Sequence, residues 1–395
     1  VVRLEVGPLS PDAVAELAGA DEAYRIFHLS GGNPFYVSEL LRTDDGMPTT
    51  VQDAVVARLA ELTPAGRECV ELAAIVPQGA EGWLLEECGV AKGLTEAIDT
   101  GHLLPDEGRF RFTHELARRA VEDQLSRDRS IDFHRRVLSV LAAHDDDPAR
   151  LAHHAYRAGD SSAVARFAPL AARRAIALHS HKEALEHLRQ ALSVPPALAK
   201  GERAAVLEEY ARECLLASQL EEAAAALEEA IALRGDGDRE RVGADLALLS
   251  EVRWAQAQGP ESEKAARQAI EILEDLPESP ALAAAYAALA KLAMVDVRNE
   301  EVVTWGERAV AVARKTGDVG VLAHALNTLG SARLRIDPSD DETLLESLQV
   351  GIDNGLHDGT IARAYLNLAV CHLENMQYDP CLLYTSDAAD EARSV

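Results

Sequence analysis

Two short stretches carry residue types suited to holding a phosphate. Gly31-Gly32-Asn33-Pro34-Phe35 places two glycines and an Asn-Pro pair ahead of an apolar run. That is a tight turn launching a helix whose first N–H groups are free, a geometry that can hold a phosphate or the edge of a base. Downstream, Phe112-Thr113-His114-Glu115-Leu116 sets one imidazole between a hairpin-like segment and a helix. Taken alone, His114 reads as a capping or core histidine. Other side chains invite a chemical reading that their spacing does not support. His153-His154, His179, His181 and His187 lie close in sequence, but adjacent helical histidines point about 100° apart. No Cys or carboxylate completes a set at ligand spacing, so no metal site is expected. No Gly-x-Ser-x-Gly elbow is present. There is no Gly-x-x-x-x-Gly-Lys-Ser/Thr, nor any Gly-Lys dipeptide, so the cradle for ATP phosphates is not on this chain. With no apolar strand ending in paired acids for Mg²⁺ either, the chain is not expected to be an enzyme unaided.

The elements that must position these residues are mainly α. Of 395 residues 48% are apolar but only 4% aromatic, with Ala and Leu dominant. Such a palette builds closely packed helix faces, not sheets. The length suggests two or three domains. A formal charge of -27 argues against a nucleic-acid or anionic-membrane surface over most of the chain. No run of about 18 apolar residues is present to span a bilayer. Five cysteines without a CxxC pair (Cys69, Cys88, Cys214, Cys371, Cys381) fit reduced thiols in a cytoplasm, the first four as small buried hydrophobes.

Residues 1–10 alternate like a strand from the end of a larger sheet, then Ser10 caps and Pro11 opens a helix. Helices follow near Asp21 and through Val51, Val55, Leu59 and Leu62, giving a helical lid over 11–62. Thr63-Pro64 starts a further helix. Short helices at about 82–88 and 93–100 precede a hairpin over 103–112 that turns at Asp106-Glu107-Gly108. Three helices and a hairpin make a winged helix, 63–113. Over 64–113 four Lys/Arg face nine Asp/Glu, and the helix that would read DNA carries Glu96 and Asp99. Phosphates would repel it, so it is expected to pack within the molecule. A helical linker, 114–164, follows. Eight arginines against five acids over 109–136 read as a helix face with intrahelical ion pairs, or as a surface meeting the acidic remainder.

From 165 to 380 the chain repeats. Ala191, Ala230, Ala269, Ala309 and Val350 align at steps of 39, 39, 40 and 41. Tyr210, Leu249, Leu289, Leu329 and Leu368 align at 39, 40, 40 and 39. Two anchors sharing one period predict a helix-hairpin solenoid, with Ala290, Gly330 and Ala369 where helices approach closely. Trp254 and Trp305 line its groove or anchor its core. Residues 381–395 break the repeat, and their first eleven look like a translated sequencing adapter, so the natural gene is expected to be cut at Pro380 with a C-terminal effector domain lost beyond it.

The ordered set of motifs resembles the regulatory half of a STAND-class nucleotide-switch ATPase, and more narrowly the large ATP-binding regulators of the LuxR type and their AAA-ATPase relatives. It comprises Gly7-Pro8-Leu9-Ser10, Gly31 to Val37, Pro48 to Leu59, Leu72-Ala73-Ala74, Phe112 to Leu116, His134-Arg135-Arg136 and Ala152 to Asp160. The resemblance implies that Gly32 and Pro34 pack on the adenine side of a bound nucleotide. It implies that His114 contacts the β-phosphate of ADP and holds a closed off-state. ATP or ADP would sit in a parent protein's core, not on this chain alone. The period exceeds the roughly 34 residues of tetratricopeptide repeats, so the arm resembles the lengthened TPR-like repeats of such regulators. These take a protein or small-molecule inducer and permit self-association. The alternatives are the sensor arm of an ATPase-coupled adenylate cyclase or protein kinase, and a stand-alone TPR-like scaffold.

Overall fold

The computed structural model describes residues 8–41, 55, 57–144, 147–194, 198–356 and 359–376. Residues 1–7 of the expected first strand, half of the helix read over 49–62, Cys381 and the adapter-like tail lie outside these residues. The chain falls into two compact units, Val1–Arg173 and Arg174–Val395. Among the described residues no helix is long and apolar enough to cross a membrane.

The first unit opens with α1 (Pro11–Ala18), α2 (Ala20–Ser30) and α3 (Pro34–Leu40). Ser10 Oγ accepts the Ala13 N–H at 3.2 Å, with Pro11 at the first helical position, so α1 starts where its cap dictates. Next come α4 (Pro64–Ala74), β1 (Ala80–Glu81), α5 (Gly82–Glu87), α6 (Leu94–Asp99), β2 (Leu103–Asp106) and β3 (Arg109–Phe112). Thr63 caps α4, and Glu96 of α6 accepts the Thr63 N–H at 2.8 Å and also its hydroxyl. These bonds from Thr63 hold the Glu96 carboxyl below its usual range. The acid that would deter a nucleic acid therefore also ties α6 to the cap of α4.

The β2–β3 hairpin pairs Leu103 with Phe112 and Asp106 with Arg109. Glu107 and Gly108 both have positive φ, 45° and 84°, as a two-residue hairpin turn demands. Sequence alternation does not reveal β1, which is two residues long and adds to the far edge of β3 to give the antiparallel order β1-β3-β2. Helices α7 (Glu115–Gln124), α8 (Arg127–Ala143), α9 (Pro148–Ala158) and α10 (Ser161–Ala177) follow, the division between units falling within α10. The stretch 114–164 packs on what precedes it. Arg118 of α7 donates to Ala74 O at 2.5 Å and pairs with Glu115 and Glu122, each at 2.7 Å. Arg129 reaches Glu71 at 2.5 Å and Arg136 reaches Glu68 at 2.8 Å. The basic stretch is thus neutralised partly along its own helix and partly across to α4.

The second unit stacks helical hairpins: α11 (His181–Ser193), α12 (Lys200–Leu216), α13 (Leu220–Arg234), α14 (Arg239–Ala255), α15 (Gly259–Leu273), α16 (Pro280–Val295), α17 (Asn299–Thr316), α18 (Val319–Ile336), α19 (Glu342–Asp353) and α20 (Thr360–Glu374). Both sets of repeat anchors face the interior. Ala191, Ala230, Ala269 and Ala309 are buried, as are Tyr210, Leu249, Leu289, Leu329 and Leu368, while Val350 is partly buried against the same core. Each buried Leu contributes about 2 kcal/mol. The small residues do what their spacing implies. A Cβ on Gly330 would meet Leu344 N at 2.6 Å, so α18 and α19 touch backbone to backbone there. Successive first helices also share polar ties, Asn367 Nδ2 donating to Asn327 Oδ1 at 2.6 Å and Asn375 Nδ2 to Leu334 O at 3.0 Å.

One buried ionic cluster joins three helices. Arg234, at the end of α13, pairs with Asp245 of α14 and, at 2.8 Å, with Glu208 of α12. The Arg234 side chain is 5% exposed and that of Asp245 0%.

Two stability predictions follow from this packing. Gly330→Ala destabilises by about 2 kcal/mol through overpacking, whereas Gly201→Ala, with open space around its Cβ, does not. Urea unfolding of both variants checks the contrast. Arg234→Met strands the Asp245 carboxylate, since Glu208 keeps Arg212 and Arg241, and costs about 3–5 kcal/mol, read as a lowered unfolding midpoint that the double variant with Asp245→Leu partly restores.

Candidate functional site

In the first unit the two phosphate-suited stretches meet. Helix α2 ends at Gly31 in the left-handed region, φ 58°, and Gly32 follows at φ 75°. Only glycine adopts two such conformations in a row without strain. A Cβ on Gly32 would also run into Leu9 O, while the Leu9 N–H donates to Gly32 O at 2.8 Å. The turn's own amides are largely occupied. Gly31 N–H donates to Phe27 O at 2.8 Å, Gly32 N–H to Ser30 Oγ at 3.2 Å and Asn33 N–H to Ser30 O at 3.0 Å.

His114 stands at the cap of α7. Its Nε2 lies 3.4 Å from Asn33 Nδ2, and its ring meets Tyr36 edge-on at 5.0 Å. A Cβ on Gly31 would sit 2.9 Å from His114 Nδ1. The turn residues that meet His114 are therefore Gly31 and Asn33, while Gly32 faces Leu9 and Pro34 is exposed at the start of α3. His114 Nδ1 is buried without a hydrogen-bond partner among the described residues. Burial first, and the Arg58 guanidinium second, hold the imidazole below its usual range, so it is neutral at pH 7. A cleft of about 430 Å³ opens beside it, lined by His28, Gly31, Arg111, Thr113, His114 and Arg118 among others. Arg118 is already committed to Glu115 and Glu122, and Arg111 pairs with Asp106 at 3.1 Å, which leaves His28 and His114 as the imidazoles that line the cleft.

The same unit gathers three histidines. Sequence spacing offers His153 and His154 of α9 no third ligand within their own helix, but α8 supplies His134. Nδ1 of His134 and Nδ1 of His154 are 2.9 Å apart. Burial pushes His134 down to about 3 and His154 well below its ordinary value, so both rings are neutral. No short-range motif reveals this meeting, because it depends on how α8 packs against α9.

In the second unit a groove of about 470 Å³ runs along the first helices of successive hairpins. Glu251 of α14, Lys291 of α16, His324 of α18 and Arg363 of α20 line it, over a floor of alanines that includes Ala247, Ala287 and Ala288. The Lys291 ammonium lies 4.8 Å over the Trp254 ring. Burial pushes Lys291 down to about 8, against the pull of Glu251 and with added repulsion from Arg363. Asp318, at the rim, accepts the Val321 N–H at 2.9 Å as the cap of α18. Trp254 therefore serves the groove from below. Trp305 instead stacks on Tyr286 at 5.8 Å, with Arg308 over both rings. Cys69, Cys88, Cys214 and Cys371 are all buried thiols, and burial lifts Cys69 and Cys88 to about 11. They are not nucleophiles.

No known family model matches this chain, and no curated protein sequence does. Solved structures do resemble it. The apo form of RapI superposes with a TM-score of 0.50 over 96% of each chain at 10% identity. A Signal Transduction ATPase with Numerous Domains protein with a tetratricopeptide repeat sensor, from Pyrococcus horikoshii, gives 0.48 at 16% identity over 97% of this chain. This chain spans 60% of that protein's length. A kinesin light chain protein of nearly identical TPR-like repeats, from Podospora anserina, gives 0.40 at 23% identity over 49% of this chain. At such identity the likeness to RapI speaks for the fold alone, a mainly helical one.

Proposed function

We propose that this chain is the regulatory and sensor portion of a nucleotide-switched signal-transduction ATPase of the large LuxR type, with a helical lid, a winged helix and a TPR-like arm. The parent's core would bind ATP or ADP. Gly32 and Pro34 would lie toward the adenine and His114 toward the β-phosphate. What supports this reading is the meeting of Asn33 with His114 at 3.4 Å, across 81 residues of sequence. Both motifs are assigned to one nucleotide by the resemblance, and they share one cleft wall. With the Asn33 amide donating to Nε2, the neutral ring carries its proton on Nδ1, which has no other partner among the described residues and can donate to a phosphate. That contact would hold the closed state, and its loss would release the lid.

The arm supplies the sensor. Its groove pairs one partly desolvated ammonium with a guanidinium and an imidazole over an alanine floor, which suits a carboxylate-bearing peptide or small molecule. The same groove also favours a second reading, a stand-alone interaction scaffold.

Nucleotide content separates the two. The intact gene product, purified, should retain ADP, and His114→Ala should weaken that retention about 10- to 100-fold and raise basal output. An intact protein without nucleotide, or one unaffected by His114→Ala, leaves the scaffold. Lys291 gives an independent check by NMR of its isotopically labelled ε-group. It should titrate near 8, against about 10.4 for a lysine in an unfolded chain. The folded state holds fewer protons than the unfolded chain between those values. Stability therefore rises with pH across that window, and affinity for an anionic ligand falls as pH passes 8. Lys291→Met should abolish both trends.

A further inference from the structure

The three histidines of the first unit are not used by the reading above. One ring nitrogen from each of His134, His153 and His154 lies within 4.8 Å of the other two. His134 is 0% exposed and His154 1%, while His153 is half-buried and forms the solvent side of the group. The rings of His153 and His154 meet edge-on at 5.0 Å, and His134 approaches them at 5.7 and 5.0 Å. Two neutral imidazoles can share one proton between the Nδ1 atoms of His134 and His154. Nε2 of His134, the ring's other nitrogen, is buried with no hydrogen-bond partner among the described residues.

We propose that His134, His153 and His154 form a three-nitrogen site for a divalent transition-metal ion of the zinc and cobalt class. Metal–nitrogen bonds of about 2.0–2.1 Å place ligand nitrogens roughly 3.3 Å apart in a tetrahedral site. The observed spacings, from 2.9 Å up to the 4.8 Å limit, bracket that value. An all-imidazole donor set selects zinc, cobalt, nickel or copper over calcium and magnesium, which require oxygen. Water takes the fourth position on the side of His153. The charge of the nearby cations is partly balanced, because each pairs with a carboxylate that it shares with one other arginine, Glu81 with Arg109 and Glu122 with Arg118. Arg150 pairs with Glu81 at 2.9 Å and Arg157 with Glu122 at 2.9 Å. A bound ion would fasten α8 to α9.

The test is a titration of the full chain, first stripped with a chelator, using Co²⁺ and then Zn²⁺ alone. One Co²⁺ should bind per chain with the visible absorption of a tetrahedral nitrogen site, yield to Zn²⁺, and raise the Tm. His153→Gln, at a half-buried position, should weaken binding at least about 10-fold with the metal-free circular dichroism unchanged. His179→Gln and His181→Gln should leave the affinity as it was. Failure to bind one ion per chain overturns the proposal. So does an affinity indifferent to His153→Gln, which would place the ion on other histidines.

Discussion

Everything in the second unit depends on how closely neighbouring helices can approach. A hairpin of Ala-rich helices buries little on its own, and its apolar face is satisfied only by the next hairpin. The spacing of that stack is set where side-chain volume is removed. Ala230, Ala269 and Ala309 occur once per repeat with no exposed surface, and Gly330 brings α18 against the Leu344 backbone. Larger residues at those points would push the hairpins apart and open the groove whose floor they form. The alanines that permit the packing are of one kind with those beneath Lys291, so the scaffold and the ligand surface are not independent choices.

What could be read from sequence, and what could not, divides by range. The solenoid was legible because two anchors kept one period over five repeats, and periodicity is a local signal repeated often enough to exceed chance. The β2–β3 hairpin was legible from its Glu107-Gly108 turn. Strand β1 was not, since two residues carry no alternation and are defined only by pairing with β3. The histidine group failed for a related reason. Ligand spacing along one helix is visible in sequence, whereas His134 joins His153 and His154 through helix packing. Lys291 escaped notice because one of six lysines is distinguished only by its burial and by the ring beneath it.

The candidate switch site shows a mixture of the two. The glycine pair and the histidine were both recognisable by type and setting, and the fold brings them together. Which atoms touch was not recoverable. Asn33 and Gly31 meet the imidazole, while Gly32 spends its freedom on a close approach to Leu9. A turn can be recognised by its glycines without revealing which of them serves the backbone and which the site.

The ionic cluster of Arg234, Asp245 and Glu208 has a consequence for how such an array can change over time. Repeat proteins usually lengthen and shorten by gain or loss of whole hairpins, since each interface is self-sufficient. Here the charge balance is shared among α12, α13 and α14, so it spans more than one hairpin. Deleting the α12–α13 hairpin would leave Asp245 without its counterpart in the interior, whereas Arg234 keeps Glu208 if α14 is lost. The dependence therefore runs one way, from α14 back to the hairpin before it.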